Sequence, residues 1–315
     1  MRRAGASRDR LVVLGYHNIE STWRWPAPPG SGIKSFARQM HILRRTTNLV
    51  PLEQALESLE LGRPLPPRAV AITFDDGYRD NLTLAAPLLS RLRIPATVFL
   101  VPGFLSGEVH AWWERLGWAM LQARARSVDF EGKHFELESM PERNAALATI
   151  EDNLKRSDHQ TRLAAVEALV DMLNPSGSYH AADLFLDWDG ARSLIGSCIT
   201  IGSHTMRHAI LAREPEQAQR DDLAESRAVL GDRLGVPVTT LAYPNGGPDD
   251  YNATTVASAA EAGYRFAVTT WGPHVRPETP PYELCRKMVC STRPAVRLAA
   301  GTIRDAVRTR DRSVA

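Results

Sequence analysis

Two short segments of this chain decide its fold: TFDDGY at residues 73–78 and SHTMRH at residues 203–208. Each follows an apolar run that has the length and composition of a buried strand. Successive residues of a strand point to opposite sides of the sheet, so Asp75 and Asp76, at the end of the first run, can take different roles. The first segment therefore predicts two carboxylates with separate tasks at one strand end.

The second segment carries two histidines, His204 and His208, spaced four apart. That spacing places both imidazoles on one face if a turn of helix follows Ser203. Together with Asp76 they make a three-ligand set for a divalent metal with one position left open for water, which is typical of catalytic sites. Each segment alone has a simpler explanation, a turn or a solvated helix face, so the prediction depends on their joint occurrence.

At these residues the chain resembles the polysaccharide deacetylase family, also called carbohydrate esterase family 4 or the NodB-homology domain. The segments at 73–78 and 203–208 resemble the first two motifs of that family. LAYPNG at 241–246 resembles its strand-end Arg-Pro-Pro-Tyr-Gly motif in a variant without the Arg, and LGYH at 14–17 resembles the first strand of many members. The resemblance covers about residues 11–290.

The resemblance implies roles for five residues. Asp76, His204 and His208 would hold one divalent metal ion, and two imidazoles with one carboxylate suit Zn²⁺. Asp75 would act as the base that takes a proton from the attacking water, and the alternative is a carboxylate that only orients a ligand. The backbone N–H of Asn245 would donate to the oxyanion, with an ordinary Pro-Asn-Gly turn as the alternative.

The chain departs from the family pattern in two places. Ala242 stands where the third motif often has an Arg that orients the catalytic Asp, and Arg286 on the last predicted strand is a candidate to replace it. A lone Arg in a strand is otherwise an edge or ion-paired residue. The family's Leu-x-His motif, whose His acts as general acid, is not evident near the C-terminus, and His274 or His17 are candidates for that role.

Four aromatic residues are candidates for binding substrate: Tyr78 and Tyr243 in the motifs, and Trp112 and Trp113 in a later segment. In a helical pattern adjacent positions lie about 100° apart, so one of the two tryptophans can pack on the barrel while the other faces a groove. The apolar face of a sugar ring stacks on an indole. Core packing of both tryptophans is the alternative.

Short apolar runs separated by helical stretches predict parallel strands with crossover helices. Seven strands predict a closed or nearly closed barrel. With the family resemblance, this implies an α/β fold class, a deformed (β/α)7 barrel of the NodB type with a helical insertion. Residues just past the C-terminal strand ends should form the active site. The predicted strands are 11–16, 70–74, 96–101, 198–202, 239–243, 265–270 and 284–289, and the predicted helices include 35–45, 82–92, 215–234 and 254–262.

The predicted organisation has four parts. Residues 1–10 form a tail, and 11–290 form the barrel. The long connection at about 103–186 is an insertion that caps the rim, with a hairpin at 129–137 and helical pieces near 145–155 and 162–173. Residues 291–315 form a C-terminal helix and a tail.

Composition excludes several classes of protein. The chain has 315 residues, 43% of them hydrophobic, and can bury a sizeable core. A net charge of +2 gives no electrostatic case for a nucleic-acid partner, and the Arg-rich ends are interpreted as solvated tails. Cys198, Cys285 and Cys290 are interpreted as buried free thiols. No apolar run is long enough for a signal-peptide core or a transmembrane helix, which predicts a cytoplasmic protein of undetermined oligomeric state.

The preferred functional interpretation is a metal-dependent hydrolase that acts on carbon–nitrogen bonds other than peptides and removes N-acetyl groups from an amino sugar of a glycan or glycan precursor. An O-acetyl esterase would use the same residues. A cyclic-amide or formamide hydrolase would need a small closed pocket. A carbohydrate-binding homologue with weak turnover is the alternative that is not an enzyme, although sugar binding alone needs no base such as Asp75 beside the metal.

Overall fold

The computed structural model describes residues 8–25, 31–196 and 198–307. The strands are β1 Leu11–Tyr16, β2 Asn48–Leu49, β3 Ala69–Phe74, β4 Ala96–Leu100, β5 Ser127–Phe130, β6 Lys133–Glu136, β7 Ile199–Ser203, β8 Thr240–Ala242, β9 Phe266–Val268 and β10 Lys287–Met288. The helices are α1 Ile33–Thr46, α2 Leu52–Glu60, α3 Ala86–Leu92, α4 Pro102–Leu105, α5 Trp112–Leu121, α6 Met140–Leu154, α7 His159–Leu173, α8 Trp188–Leu194, α9 Glu216–Leu234, α10 Ala253–Glu261 and α11 Ala295–Val307.

The main sheet is parallel and has the strand order β10-β1-β3-β4-β7-β8-β9, with β2 paired to β3. Strands β1, β3 and β4 are buried at every position, which is the pattern of parallel strands covered on both faces. The sheet curls into a half-barrel surrounded by helices, and its two ends approach at a single parallel bridge between Val268 and Leu284. All C-terminal strand ends therefore open on one rim.

The last three strands of the sheet are shorter than the sequence predicts. β8 and β9 have three residues each and β10 has two. Loops begin at once where these strands end, and those loops carry Asn245 and Thr270, while Arg286 lies directly before β10. The extra strand β2 was not predicted because two residues give no periodic signal.

The segment between β4 and β7 contains α4 to α8 and the antiparallel hairpin β5-β6. Local sequence fixes its elements: α6 begins with a capping box in which Ser139 and Glu142 satisfy each other's backbone N–H groups. A hydrophobic core separate from that of the barrel holds the segment together; it includes Phe104, Trp112, Trp113, Leu116, Met120, Leu147, Ile150, Val166, Leu169 and Phe185. The division into a barrel at 11–290 and a cap at about 103–186 stays a prediction.

Several peripheral predictions need correction. Cys198 and Cys290 are exposed and Cys285 is partly exposed, because β7 begins only at Ile199 and β10 ends at Met288. Arg10, assigned to a solvated tail, is buried. The other arginines interpreted as parts of solvated tails, those in residues 1–7 and 308–315, lie outside the described residues. Among the described helices, none combines the length and apolarity needed to cross a membrane.

Candidate metal centre and active site

Asp76, His204 and His208 come together at the rim of the half-barrel. One ligand atom from each residue lies within 4.8 Å of the others. Oδ1 of Asp76 is 3.4 Å from Nε2 of His204 and 3.3 Å from Nε2 of His208. All three residues are buried, with at most 7% of each exposed.

A loop, and not a helical turn, brings the two histidines together. Residues 204–209 contain no helix, and Thr205 and His208 have positive φ angles of 65° and 55°. The predicted helix after Ser203 is therefore wrong. The loop is fixed by backbone hydrogen bonds: the N–H of His204 donates to the Leu100 carbonyl at 2.8 Å, and the N–H of Met206 donates to the buried Asp222 carboxylate at 2.6 Å.

The donor set fits a divalent metal ion. Nδ1 of His204 donates to the Ala242 carbonyl at 2.7 Å, which leaves the Nε2 lone pair free for a ligand bond. Burial lowers the pKa of His204 to about 4, so its imidazole is neutral near pH 7. Oδ1 of Asp76 is buried without a hydrogen-bond partner among the described residues. Burial alone would raise the pKa of Asp76, but the neighbouring imidazole of His208 lowers it below its usual value, which keeps the carboxylate charged.

Asp75 is not part of this donor set and binds Arg286. Nη1 and Nη2 of Arg286 each donate to one oxygen of Asp75 at 2.6 Å, a bidentate pair that is almost fully buried. The guanidinium also donates to the Thr73 hydroxyl and the Thr269 carbonyl, both at 3.2 Å. Burial alone would raise the pKa of Asp75, but the charge of Arg286 and its hydrogen bonds outweigh burial and lower it. Asp75 is therefore a fixed carboxylate that is ionised at neutral pH.

The two candidates for the general acid lie in different places. Nε2 of His17 is 4.0 Å from Oδ2 of Asp75, and 41% of the His17 side chain is exposed. His274 accepts a hydrogen bond from Arg276, and its neighbour Val275 pairs with Leu11 at the start of β1. That is the strand end opposite the rim, so His274 is not at the site. The linear sequence did not reveal this because the loop after β9 folds back along the barrel.

Asn245 lies beside the metal ligands in the loop that follows β8. Its φ of 57° turns the backbone sharply, and the Thr270 hydroxyl donates to its carbonyl at 2.5 Å. Within the described residues, the N–H of Asn245 has no protein acceptor. An N–H group held in this way is available to a ligand in the adjoining cavity.

The two motif tyrosines do not reach the site cavity. Tyr78 is 1% exposed, and its hydroxyl donates to Glu114 at 2.8 Å and accepts from the indole N–H of Trp113 at 3.0 Å. Tyr243 is fully buried and stacks on Tyr251, with ring centroids 4.7 Å apart. Burial therefore argues against the predicted contact of either tyrosine with substrate.

Tyr78 instead helps to position an aromatic wall. The Trp113 indole, held by Tyr78, packs against the imidazole of His208 with ring centroids 4.4 Å apart. Glu114 is fully buried, and burial raises the pKa of its carboxyl. A chain of contacts thus connects Glu114 of the cap, through Tyr78 and Trp113, to a candidate metal ligand.

The site opens into a cavity of about 380 Å³, which is in the range of small-molecule sites. Its wall combines the rim of the half-barrel with the cap. The lining residues are His17, Trp25, Asp75, Asp76, Trp112, Trp113, Glu151, Lys155, His204, His208, Asn245, Asp250, Thr270 and Met288.

A family model described as Polysaccharide deacetylase matches residues 62–267. The chain belongs to the polysaccharide deacetylase family. The resemblance predicted from the motifs is confirmed. The matched range contains TFDDGY, SHTMRH and LAYPNG, the three segments that carry Asp75, Asp76, His204, His208 and Asn245.

This polysaccharide deacetylase family member is similar to one curated relative in sequence and to several solved structures in fold. YxkH of Bacillus subtilis (strain 168), whose name describes a polysaccharide deacetylase, is 24% identical over 263 residues, which are 83% of this chain and 64% of the length of YxkH. Among solved structures, the Streptococcus pyogenes deacetylase PplD, in complex with acetate, has a TM-score of 0.63 at 16% identity, covering 94% of this chain and 99% of that one. IcaB from Ammonifex degensii has a TM-score of 0.60 at 21% identity, covering 95% and 99%. The predicted fold class is confirmed.

Sequence analysis missed several residues that other elements bring to the site of this family member. Glu114 gave a signal, because a charged residue directly after two tryptophans in a helix is unusual unless it is paired. Trp25 and Lys155 gave none. Their places depend on how the loop after β1 and the end of α6 pack against the rim.

Replacement of Tyr78 by phenylalanine is expected to lower the free energy of unfolding by about 1–3 kcal/mol, because it removes one hydrogen-bond donor from the buried Glu114 carboxyl and leaves the Trp113 indole N–H without its acceptor. Chemical denaturation measures this loss. The matched control is Tyr282→Phe, whose hydroxyl donates to a backbone carbonyl outside the cap. A Tyr78→Phe variant as stable as the wild type would show that these hydrogen bonds do not hold the aromatic wall.

Proposed function

We propose that this chain is a metal-dependent hydrolase that removes N-acetyl groups from an amino sugar of a glycan or glycan precursor. The observation that carries the proposal is the pairing of two carboxylates with different tasks at one strand end. Asp76 forms a metal-ligand set with two imidazoles. Arg286, 211 residues away in sequence, holds Asp75 in a buried bidentate pair. A site for sugar binding alone needs no such second carboxylate.

Each residue has a role in the proposed reaction. Asp76, His204 and His208 would hold a divalent ion, for which Zn²⁺ suits the donor set. When bound, the ion lowers the pKa of water and polarises an acyl carbonyl. Asp75 accepts a proton from the attacking water, and Arg286 fixes its direction. The N–H of Asn245 donates to the oxygen on which negative charge develops.

His17 is the proposed general acid, which donates a proton to the nitrogen of the leaving amino sugar. It lines the same cavity as Asp75, its Nε2 lies 4.0 Å from Oδ2 of Asp75, and its side chain is partly exposed. His17 and Asp75 are thus close enough to act on opposite sides of one small acyl group.

Acetate release tests the proposal. The purified protein, stripped of metal and reloaded with Zn²⁺, is expected to release acetate from N-acetylated glucosamine oligomers, and a chelator should abolish the release. O-Acetylated sugars and cyclic amides are assayed in parallel, because an O-acetyl esterase or a cyclic-amide hydrolase would prefer those substrates. Turnover confined to either alternative, or turnover that does not depend on metal, would overturn the proposed function.

Replacement of His17 by alanine is expected to lower kcat for an N-acetylated sugar by about 10²–10⁴-fold, because an amine leaves only with a proton. Hydrolysis of an aryl acetate, whose leaving group needs little protonation, should fall much less. His274→Ala is the control and should alter neither rate, since His274 lies outside the cavity. Equal losses on the two substrates would remove His17 from the role of acid.

A further inference from the structure

Three neighbouring helices on the outside of the half-barrel expose basic residues and no acidic residue. α1 packs against both α11 and α3. Asp305 is the only acidic residue in these three helices, and it is buried and accepts a hydrogen bond from Lys287 at 2.7 Å. We call the exposed side of the three helices, with the residue that follows α3, the basic flank. Its lysine and arginine residues are Lys34, Arg38, Arg44, Arg45, Arg91, Arg93, Arg297 and Arg304.

The charge of the basic flank is not balanced within the flank. The whole chain has a net charge of only +2, so positive charge is concentrated on this surface. Nε of Arg304 lies 4.0 Å from the buried Asp305. Within the described part of the chain, the structure records no other ion pair between the basic flank and an acidic residue. The remaining basic side chains of the flank are therefore available to an anionic partner.

One carboxylate lies at the edge of the basic flank. Glu20, in the loop after β1, accepts the backbone N–H of Ile33 at 2.9 Å, which places its charge beside Lys34. Arg44 and Arg45 lie about 15 Å further along α1, at a rise of about 1.5 Å per residue, and the Debye length in physiological salt is about 8 Å. Glu20 therefore balances Lys34 and leaves Arg44 and Arg45 uncompensated.

The basic residues follow the helix axes in stripes. The stripe on α1 has spacings of four, three and four residues, which places its members on one face of the helix: Lys34, Arg38, His41 and Arg45. The opposite face of α1, which includes Phe36, Met40 and Leu43, is buried in the core. On α11, Arg297 and Arg304 are seven residues apart and also share a face. Because α1 and α11 pack side by side, the two stripes form one broad surface.

Helix stability does not account for all of these charges. Cations stabilise the last turn of a helix, which explains Arg44 and Arg45 in α1 and Arg91 in α3. Arg297 lies in the first turn of α11, where the macrodipole disfavours a cation. Arg93 ends α3 in the left-handed conformation, with a φ of 54°, a position that favours glycine. An arginine kept at such a position points to a function for its side chain.

The chemistry of the basic flank fits a phospholipid surface. Its basic residues are mostly arginines, and a guanidinium binds a phosphate through two parallel hydrogen bonds. Val296, beside Arg297, is 70% exposed, and an apolar side chain next to basic residues is typical of helices that lie in the headgroup region of a bilayer. The three helices expose no Phe, Tyr or Trp side chain on which a nucleic-acid base could stack. These features favour a lipid over a nucleic acid.

We propose that the basic flank binds the surface of a bilayer that contains anionic phospholipids. The arginines contact lipid phosphates, and Val296 enters the headgroup region. The chain docks from one side as a peripheral protein, with α1 and α11 along the bilayer surface. None of the flank residues lines the site cavity, so docking does not require the candidate metal centre to be covered. The inference does not depend on the proposed function.

Co-sedimentation of the full chain with vesicles tests the docking surface. The chain is expected to bind vesicles made of equal parts phosphatidylcholine and phosphatidylglycerol, to bind phosphatidylcholine vesicles far more weakly, and to be released by high salt. The triple variant Arg38→Gln, Arg45→Gln and Arg297→Gln should lower the partition coefficient by about 100-fold, since each basic residue near an anionic surface contributes about fivefold.

A matched triple variant separates the basic flank from net charge. Arg124→Gln, Arg126→Gln and Arg156→Gln remove the same charge from exposed positions of the cap, and this variant should bind the anionic vesicles like the wild type. Equal losses in the two triple variants would overturn the docking surface, because net charge alone would then explain binding. A duplex DNA is titrated in parallel, and binding to DNA without binding to vesicles would overturn the choice of a lipid partner.

Arg93→Gly tests whether the strained arginine serves binding. Glycine relieves the left-handed conformation, so the free energy of unfolding should equal or exceed that of the wild type, while binding to the anionic vesicles should fall by about fivefold. Chemical denaturation and co-sedimentation measure the two quantities on one sample. Wild-type vesicle binding by Arg93→Gly and by the flank triple variant would overturn the proposal.

Discussion

Replacement of Asp75 by asparagine is expected to lower kcat for deacetylation by about 10²–10⁴-fold while bound metal stays at the wild-type level. The amide keeps the shape of the carboxylate and removes its capacity to accept a proton. The metal should remain because Asp75 faces Arg286 and is not part of the donor set of Asp76, His204 and His208. Acetate release and elemental analysis on the same sample measure the two quantities.

Two outcomes would contradict this prediction. Near-normal acetate release by a folded Asp75→Asn variant would show that Asp75 is not the base. Loss of metal together with activity would show that Asp75 orients a ligand instead. Because the substitution leaves the buried Arg286 without a full carboxylate partner, circular dichroism must first establish that the variant is folded.

Arg286→Met tests the same pair from the other side. Burial then acts on Asp75 without its main counter-charge, so the pKa of Asp75 should rise and the acid limb of the pH–rate profile should move to higher pH.

Removing one partner of a buried pair is expected to cost about 3–5 kcal/mol of stability at neutral pH. Since the folded-state pKa of Asp75 is depressed in the wild type, the pair stabilises the fold above the unfolded pKa of about 3.9 and loses that contribution as pH falls. The stability gap between variant and wild type should therefore narrow in acid, and a gap independent of pH would contradict this account.

Removal of either imidazole of the metal centre should lower the rate of acetate release at least as much as Asp75→Asn does. His204→Ala or His208→Ala leaves two ligands, and the loss of metal affinity should exceed the 10–100-fold typical of changes outside the ligand set. Acetate release should be abolished at ordinary metal concentrations. Elemental analysis after dialysis measures metal content, and His134→Ala on the exposed β5-β6 hairpin is the control.

His208 is expected to give a further signature. The Trp113 indole packs on its ring, so metal binding should change tryptophan fluorescence in the wild type and not in His208→Ala. Full metal occupancy in either histidine variant would show that the ion is held by other residues.

The sequence by itself determined what depends on local pattern. Alternating apolar runs and helical stretches predicted the parallel strands, because burial on both faces demands continuous apolar residues whatever the neighbours are. The strand-end segments placed Asp75, Asp76, His204 and His208 on one rim, since parallel strands end at the same edge. These predictions needed only strand direction and residue type.

Tertiary structure alone decided which distant residues meet. Arg286 reaches Asp75 because β10 pairs with β1 and β1 with β3, which aligns the residue before β10 with the interior of the half-barrel. His17 follows β1 and His274 follows β9, yet only His17 lies at the rim. The path of a loop depends on how it packs against the rest of the fold, and its own sequence does not reveal that path.

Tertiary packing also decides which tryptophans are buried and which are exposed. The WWERL pattern indicated two aromatic side chains near the rim, but only the fold shows both buried within the cap. Trp25 lies in a loop without periodicity, and its exposed, fixed ring results from contacts of Arg24 with Glu114 and Glu151 on two cap helices. Local sequence encodes burial and strand direction, whereas contacts between separate elements arise only when the elements pack together.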